Sequence, residues 1–446
     1  MSSYLFYSLP ENLQRKIGWR ARAFVGRETI ACEKKNHLAF EKSTIIEKKR
    51  LIFDAVKDIA VYAARHNAFY KNFYGEQNFD PTKLRSFADL TKIPIVDKDT
   101  LRRLSDTWVT NRDQSILGNT GGTSGSPLAF TFHKSKFAKE QYYIDRIFEQ
   151  MNCRPHHARL VFRGLNELGS ESWKYHPTTD AYLINTYKPL HEMIFDLERL
   201  FINKNIKFLH GYPSCIYQFC LELRKGDAKY LLDLIRHSVE GVLFGSEYPA
   251  PKYRNLIEEV LGAPTISWYG HSEKVVLATE SPGSPYIYRP YHTYGWSEAV
   301  VQNDGSHRLV GTDYTNRFSP FLRYDTGDHI NPVKMNSGLL EAFEIAEGRV
   351  GDFVYDASNN AVSLTSLIFG RHHKAFEYFD YIQVFQETPG KAILLVVPSQ
   401  GSIDLDLKAM FDLTNVDIQF EIRAVERPFR TAAGKLPLIV PQSHAN

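Results

Sequence analysis

The sequence predicts an α/β protein: a large, multi-subdomain N-terminal α/β body over residues 1–347 and a small, mobile C-terminal α+β domain over residues 348–446. Three observations carry that expectation. The chain has 446 residues and is 43% hydrophobic, about three times a typical domain length and enough for more than one core. Before residue 347, helix-length amphipathic stretches alternate with short apolar runs. At Glu347-Gly348-Arg349-Val350-Gly351-Asp352 two glycines sit among charges, and the pattern then changes to short strands with one helix.

In chain order, Leu13, Ile17, Ala21 and Phe24 form an apolar stripe at helical spacing, flanked by Arg15, Lys16, Arg20 and Arg22. Such a basic amphipathic helix is able to touch an anionic membrane or to pack on the body. Ser115-Ile116-Leu117 reads as a strand, and Leu128-Ala129-Phe130-Thr131-Phe132 alternates as a second, so the segment between them joins two strands. Ser135 is a candidate cap for a helix through Ala138, Tyr142, Ile144 and Ile147. Residues 215–223 read as an apolar helix, with Cys215 and Cys220 as buried thiols. Gly241–Phe244 reads as a strand and 251–260 as a helix. Beyond 348, strands are expected at 381–385 and 392–397 and a helix near 405–413. No internal repeat or low-complexity tract interrupts the chain.

Thr120-Gly121-Gly122-Thr123-Ser124-Gly125-Ser126-Pro127 is the segment richest in chemistry. Glycines let the backbone bring N–H groups up to an anion, and hydroxyls add rotatable donors, so the loop is suited to wrapping phosphate. It lacks the Gly-Lys-Ser/Thr ending of a Walker A loop and the G-x-S-x-G spacing of a serine hydrolase. Trp268-Tyr269-Gly270-His271-Ser272-Glu273 combines aromatic rings, a glycine, a hydroxyl and a carboxylate. These are groups able to stack a base, approach a phosphate and hold magnesium; a strand end with a turn has the same composition. Arg323-Tyr324-Asp325-Thr326-Gly327-Asp328 sets two acids around Thr-Gly, where a fixed carboxylate can accept from both ribose hydroxyls or simply shape a turn. Lys435, in Arg430-Thr431-Ala432-Ala433-Gly434-Lys435, would on its own be a solvated surface lysine.

Taken together and in this order, these segments resemble the adenylate-forming superfamily, and most closely its phenylacetate–coenzyme A ligase and CapK-type capsular polysaccharide branch. The resemblance spans most of the chain. It implies that Thr120, Gly121, Gly122, Thr123, Ser124 and Gly125 bind the phosphates of ATP. Gly245, Ser246 and Glu247 would form the adenine-side turn, and Tyr269, Gly270, His271, Ser272 and Glu273 the Y-G-x-T-E motif with Ser for Thr. Asp328 is similar to the ribose-binding aspartate, Gly348-Arg349 to the start of the hinge, and Lys435 to the C-terminal catalytic lysine. Within the same resemblance, His210-Gly211-Tyr212-Pro213-Ser214 and the 269–273 segment favour the CapK-type branch. The reaction so implied has a carboxylate attack ATP to give an acyl-adenylate and pyrophosphate, followed by acyl transfer to a thiol or an amine. Glu273 would hold Mg²⁺, and coenzyme A is a candidate acceptor. Two departures stand out: Ser126 replaces a lysine common in the phosphate loop, and Gly351 occupies the position where relatives often carry a hinge Asp or Lys.

Arg163, His210 and Tyr212 are candidate walls of the acyl pocket, with a structural hydrogen-bonding role the alternative for Arg163 and His210. The 25 tyrosines and 29 phenylalanines are mostly core and do not specify an aromatic acid. Lys and Arg number 54 against 51 Asp and Glu, a net charge of +3, which offers no bulk electrostatic case for nucleic acid. Four cysteines without a C-x-x-C pair argue against structural zinc. No long apolar run or signal sequence is evident, so a cytoplasmic location is expected, with contact at the inner membrane surface the variant. A nucleotide-binding scaffold without turnover and an enzyme loading a carrier protein are the competing functions.

Overall fold

The computed structural model describes residues 9–24, 26–109, 115–119, 128–164, 168–346, 353–364, 367–368, 371, 373–398, 406–429 and 438–440. The expected phosphate loop (120–127), the hinge (347–352, with Arg349 and Gly351) and Lys435 lie outside the described residues.

A twelve-stranded mixed sheet organises the body. Its parallel part contains β3 (Ala158–Phe162), β5 (Ala181–Ile184), β6 (Ile206–Gly211), β7 (Gly241–Phe244) and β8 (Thr265–Gly270), in the spatial order β5-β3-β6-β7-β8. β4 (Trp173–His176) closes one edge antiparallel to β5. Beyond β8 the sheet continues antiparallel through β9 (Leu277–Ser281), β10 (Ser284–Pro290), β14 (Leu339–Ile345), β13 (Tyr324–Asn336), β12 (His307–Asp313) and β11 (Gly295–Val301).

The parallel strands are apolar on both sides because both faces are covered. Leu209 and Val242 belong to a core shared with Leu197, Ile216, Leu231 and Ile257, on four helices of one face. Phe208, Leu243 and Ile266 pack with Tyr143, Ile147 and Phe148 of helix Ser135–Glu149 on the other. The expected elements appear here with small changes: helix Pro213–Arg224 buries Cys215 and Cys220, and helix Pro251–Leu261 begins on a proline and ends at Gly262, each a sequence-readable boundary.

β1 (Ser115–Asn119) and β2 (Ala129–His133) pair antiparallel outside the main sheet, so the 120–127 loop does connect two strands. They pack on a third core with the N-terminal helices, Phe321 and Tyr324. Ser135 does not cap the following helix: Lys134 occupies that position, and the Ser135 hydroxyl lies 2.8 Å from Nδ1 of His133 instead. The nearby imidazole offers that hydroxyl a partner outside the helix, which is why the expected cap fails.

After residue 353, the hairpin of β15 (Phe353–Tyr355) and β16 (Ala361–Ser363) leads to a three-stranded sheet of β17 (Phe379–Thr388), β18 (Lys391–Pro398) and β19 (Gln419–Ala424). The helix expected near 405–413 is a single 3-10 turn, Leu407–Met410, capped by the Asp406 carboxylate. Phe411 then leaves in an extended conformation to stack on Phe379, with ring centroids 6.0 Å apart. Burying that ring ends the helix.

The N-terminal helix Glu11–Phe24 docks through its polar side. Arg15 binds Asp180, Glu11 binds Lys204 at 2.7 Å and accepts from the Tyr182 hydroxyl at 2.6 Å. Leu13 and Phe24, from the expected apolar stripe, are 41% and 67% exposed. No helix among the described residues is long and apolar enough to cross a membrane.

Candidate functional site

In an open α/β sheet, ligands collect at the carboxyl ends of the parallel strands. β3, β6 and β7 end there in register, and β8 passes the same level: Phe162 aligns with Gly211, Gly211 with Phe244 and Phe244 with Ser267. Arg163, Tyr212 and Gly245 to Glu247 therefore leave the sheet on one edge, while β8 runs on beside β9 to Gly270, with Tyr269 paired to Ala278.

Two reciprocal pairs connect the β8 turn to β13. The Tyr269 hydroxyl donates to Oδ2 of Asp328 at 2.6 Å, and the Tyr324 hydroxyl donates to Oε1 of Glu273 at 2.9 Å. Each segment thus gives one phenol and one carboxylate to the other. The Thr326-Gly327 pair makes this possible. Register between β12 and β13 shifts here, Gly327 adopts φ 80°, and the Thr326 hydroxyl bonds to the Leu309 carbonyl at 2.8 Å while accepting from Asp328 N–H at 3.2 Å. The resulting bulge re-aims the strand at Asp328. Asp325 is spent on the same turn, accepting from Gly327 N–H at 2.8 Å.

Glu273 is ionised. Burial raises the proton affinity of its carboxyl, but the His271 ring at 2.9 Å and the charge of Lys98 outweigh burial and hold its pKa at about 2. Nε2 of His271 accepts from Val276 N–H at 3.2 Å, which leaves the ring proton on Nδ1, facing Glu273. Lys98 opens helix Lys98–Arg103, two residues after Val96, whose carbonyl accepts from Asp325 N–H at 2.9 Å. The start of β13 and this lysine are therefore positioned together. Among the described residues no group of three or more His, Cys, Asp or Glu could hold a metal. A lone ionised carboxylate suits Mg²⁺ that takes its other ligands from phosphate and water.

The remaining expected residues divide. Gly245 must lack a side chain, since a Cβ there would stand 2.3 Å from the Trp268 ring. Ser246 has φ 70°. Both carboxylate oxygens of Glu247 accept from Ser214, from N–H at 3.0 Å and from the hydroxyl at 2.9 Å, so this side chain fixes the start of helix Pro213–Arg224. His210 is buried and neutral: burial and nearby Arg163 push its pKa down to about 3, its Nδ1 bonds to the Leu243 carbonyl at 3.0 Å, and it stacks on Trp268. Burial raises the Tyr212 phenol to about 12. Arg163 is exposed at the edge; Ser272 is exposed in the turn. Trp268, a candidate base-stacking ring by composition, packs against both His210 and Phe148, which also touch each other.

Sequence reasoning did not assign Tyr324, Lys98 or Lys274. Tyr324 lies inside the 323–328 motif, which was a usable signal; the other two are lysines whose significance comes only from their tertiary neighbours.

No family model and no curated protein matches the sequence. Among solved structures, 2-hydroxyisobutyryl-CoA ligase with 2-HIB-AMP and CoA in the thioesterification state matches with a TM-score of 0.56 and 16% identity, over 89% of this chain and 90% of that one. The chain shares the fold of that ligase. The same ligase in its postadenylation state with R3-HIB-AMP matches with a TM-score of 0.53 and 15% identity, over 89% and 90% of the two chains. At this level of identity the likeness is one of fold.

Proposed function

We propose that the protein is an AMP-forming ligase that activates a carboxylic acid with ATP and passes the acyl group to a thiol or an amine. The observation that carries the reading is the pair of reciprocal phenol–carboxylate contacts, which brings Glu273 and Asp328 to the carboxyl edge of the parallel strands in a chain of this fold. In the first step, a carboxylate oxygen bonds to the α-phosphorus and the bond to pyrophosphate breaks. In the second, the acceptor bonds to the acyl carbon and AMP leaves.

Asp328, steadied by Tyr269, is placed to accept from ribose hydroxyls. Ionised Glu273 would hold Mg²⁺, which supplies charge neutralisation on the phosphate oxygens. Lys98 adds a second positive charge beside it, a useful supplement where the phosphate loop has Ser126 in place of lysine. Residues 120–125 would cradle phosphate, and Gly245 to Glu247 the adenine. Lys435, carried by a mobile unit beginning at residue 348 and hinged near Arg349, would stabilise the transition state. Arg163, His210 and Tyr212 would line the acyl pocket.

Within this reading, the CapK-type resemblance supports a role in cell-surface polysaccharide modification, in the cytoplasm and with the exposed Leu13 and Phe24 available to a membrane surface. Coenzyme A is the acceptor favoured by the fold, since the ligase structure with the higher TM-score holds CoA.

The test is acid-dependent pyrophosphate release from ATP and Mg²⁺ over aryl, fatty, hydroxy, amino and sugar acids. Release by the wild type that falls about a hundred- to thousandfold in Lys435→Ala is expected, the scale of losing one preorganised charge-stabilising donor. ATP binding without release over the whole panel would favour the scaffold reading, and a mass increase on a carrier protein would favour carrier loading. Tyr269→Phe removes the hydroxyl that orients Asp328, and is expected to raise KM for ATP about tenfold, the lower end for a hydrogen bond to a charged group. An unchanged KM would detach Asp328 from nucleotide binding.

A further inference from the structure

We propose that Lys274 is a positioning residue that fixes the distance between Glu273 and the phosphate-binding hairpin through an ion pair with Glu140. The inference rests on the ATP-activating reading above. Lys274 follows Glu273 directly and adopts φ 56°, in the left-handed region. L-residues other than glycine and asparagine occupy that region at a cost, so it needs a compensating contact.

That contact is the side chain. Its ammonium meets the Glu140 carboxylate and lies 5.4 Å from the Phe137 ring centroid and 6.0 Å from that of Phe132. Only 14% of the side chain is exposed. Phe132 belongs to β2, the strand that leaves the 120–127 loop, while Phe137 and Glu140 lie in the first two turns of the helix that follows. One lysine thus touches both elements that carry the outgoing end of the loop.

The helix also packs through Tyr143, Ile147 and Phe148 on Ile266 and Leu277, and three polar contacts tie the hairpin and helix to another part of the body. Thr131 N–H donates to the Ser319 hydroxyl at 2.9 Å, the Asn316 amide donates to the Thr131 carbonyl at 3.0 Å, and buried Lys136 pairs with Asp313 at 2.6 Å. All three tie the hairpin and its helix to the last residue of β12 and the segment that follows it. Lys274–Glu140 references the same unit to the turn that bears Glu273. A phosphate chain gripped by the loop at one end and by Glu273 at the other would feel any change in that spacing, and misplacement of reacting groups is costly.

The experiment compares Lys274→Gly, Glu140→Gln and the double variant. Glycine accepts the left-handed backbone without strain, so Lys274→Gly removes the ammonium while keeping the turn. Each single change is expected to raise both the calorimetric Kd of Mg²⁺·ATP and the KM for ATP about tenfold or more, with KM for the acid within about twofold of wild type. The double variant is expected to match the singles, because both act through one interaction. Wild-type Kd values in both singles, or additive losses in the double, overturn the proposal while leaving the ligase reading intact. Wild-type protein that binds Mg²⁺·ATP yet releases no pyrophosphate with any acid counts against the ligase reading, and the Kd comparison still decides the role of Lys274. A wild type that binds no Mg²⁺·ATP removes both.

Discussion

Glu273→Gln is expected to lower acid-dependent pyrophosphate release by about a hundred- to thousandfold, corresponding to roughly 2.7–4 kcal/mol of lost electrostatic stabilisation. The substitution keeps the shape of the side chain and leaves an oxygen to accept from Tyr324. It removes the charge that His271 and Lys98 hold in place, and the charge is what magnesium and its phosphates would answer to. Its pH signature separates it from a folding defect. An ordinary glutamate titrates near 4.3, while folded Glu273 titrates at about 2. The depressed value means that its stabilising contribution is complete above about 4.3 and is lost as pH falls toward about 2. The stability difference between wild type and Glu273→Gln should therefore shrink on acidification below about 4.3. Release that survives the substitution at neutral pH would remove Glu273 from the chemistry.

The second large effect falls on stability. Arg323→Met is expected to cost about 3–5 kcal/mol, because it leaves a buried carboxylate without its partner. The Arg323 guanidinium binds both oxygens of Glu298, at 2.9 and 3.2 Å, and also caps the carbonyls of Thr91 and Ile93, at 2.5 and 2.7 Å. Both charged side chains are under a tenth exposed. Arg323 itself sits at φ 43°, immediately before Tyr324, so loss of these contacts also frees the start of the strand that carries Tyr324 and Asp328. Calorimetric melting, with urea titration where unfolding is reversible, measures the effect. A combined Arg323→Met, Glu298→Leu variant should recover much of the loss, since it removes the stranded charge as well. A single variant that melts with the wild type would show that the pair contributes nothing.

The parts of this molecule legible in its sequence were those written in short-range chemistry. Gly241–Phe244 is apolar throughout because both its faces are covered, and helix Pro251–Leu261 carries its own start and stop residues. The Thr-Gly of the 323–328 motif signalled a special backbone, which the bulge at Gly327 supplies. What stayed hidden was partnership. Nothing near Glu273 in the chain announces that Tyr324 completes its hydrogen bonding, or that Lys98 contributes its charge, because these contacts join segments distant in sequence. The composition of Glu247 fits a ligand turn, yet its carboxylate is committed to Ser214. Ser135 and the 405–413 segment show the converse: local signals for a cap and a helix were overridden by His133 and by burial of Phe411.

The hairpin of β15 and β16 has two faces with different owners. Val354 and Val362 belong to the core of the small C-terminal unit, while Phe353 packs against the core of the body and meets the Tyr253 ring edge-on. Ser363 meets Ser214 hydroxyl to hydroxyl at 3.1 Å, and Arg371 lies 4.3 Å above the Tyr187 ring while its Nε donates to that phenol at 3.3 Å. Among the described residues, a reorientation of the small unit about the proposed hinge would rupture the Phe353–Tyr253 ring contact, the Ser363–Ser214 hydroxyl pair and the guanidinium stacks of Arg371 on Tyr187 and Arg102 on Tyr381, and only the polar groups would regain partners from water. Such a seam works as a detent rather than a weld: it gives the unit a defined resting place and sets a low threshold for leaving it.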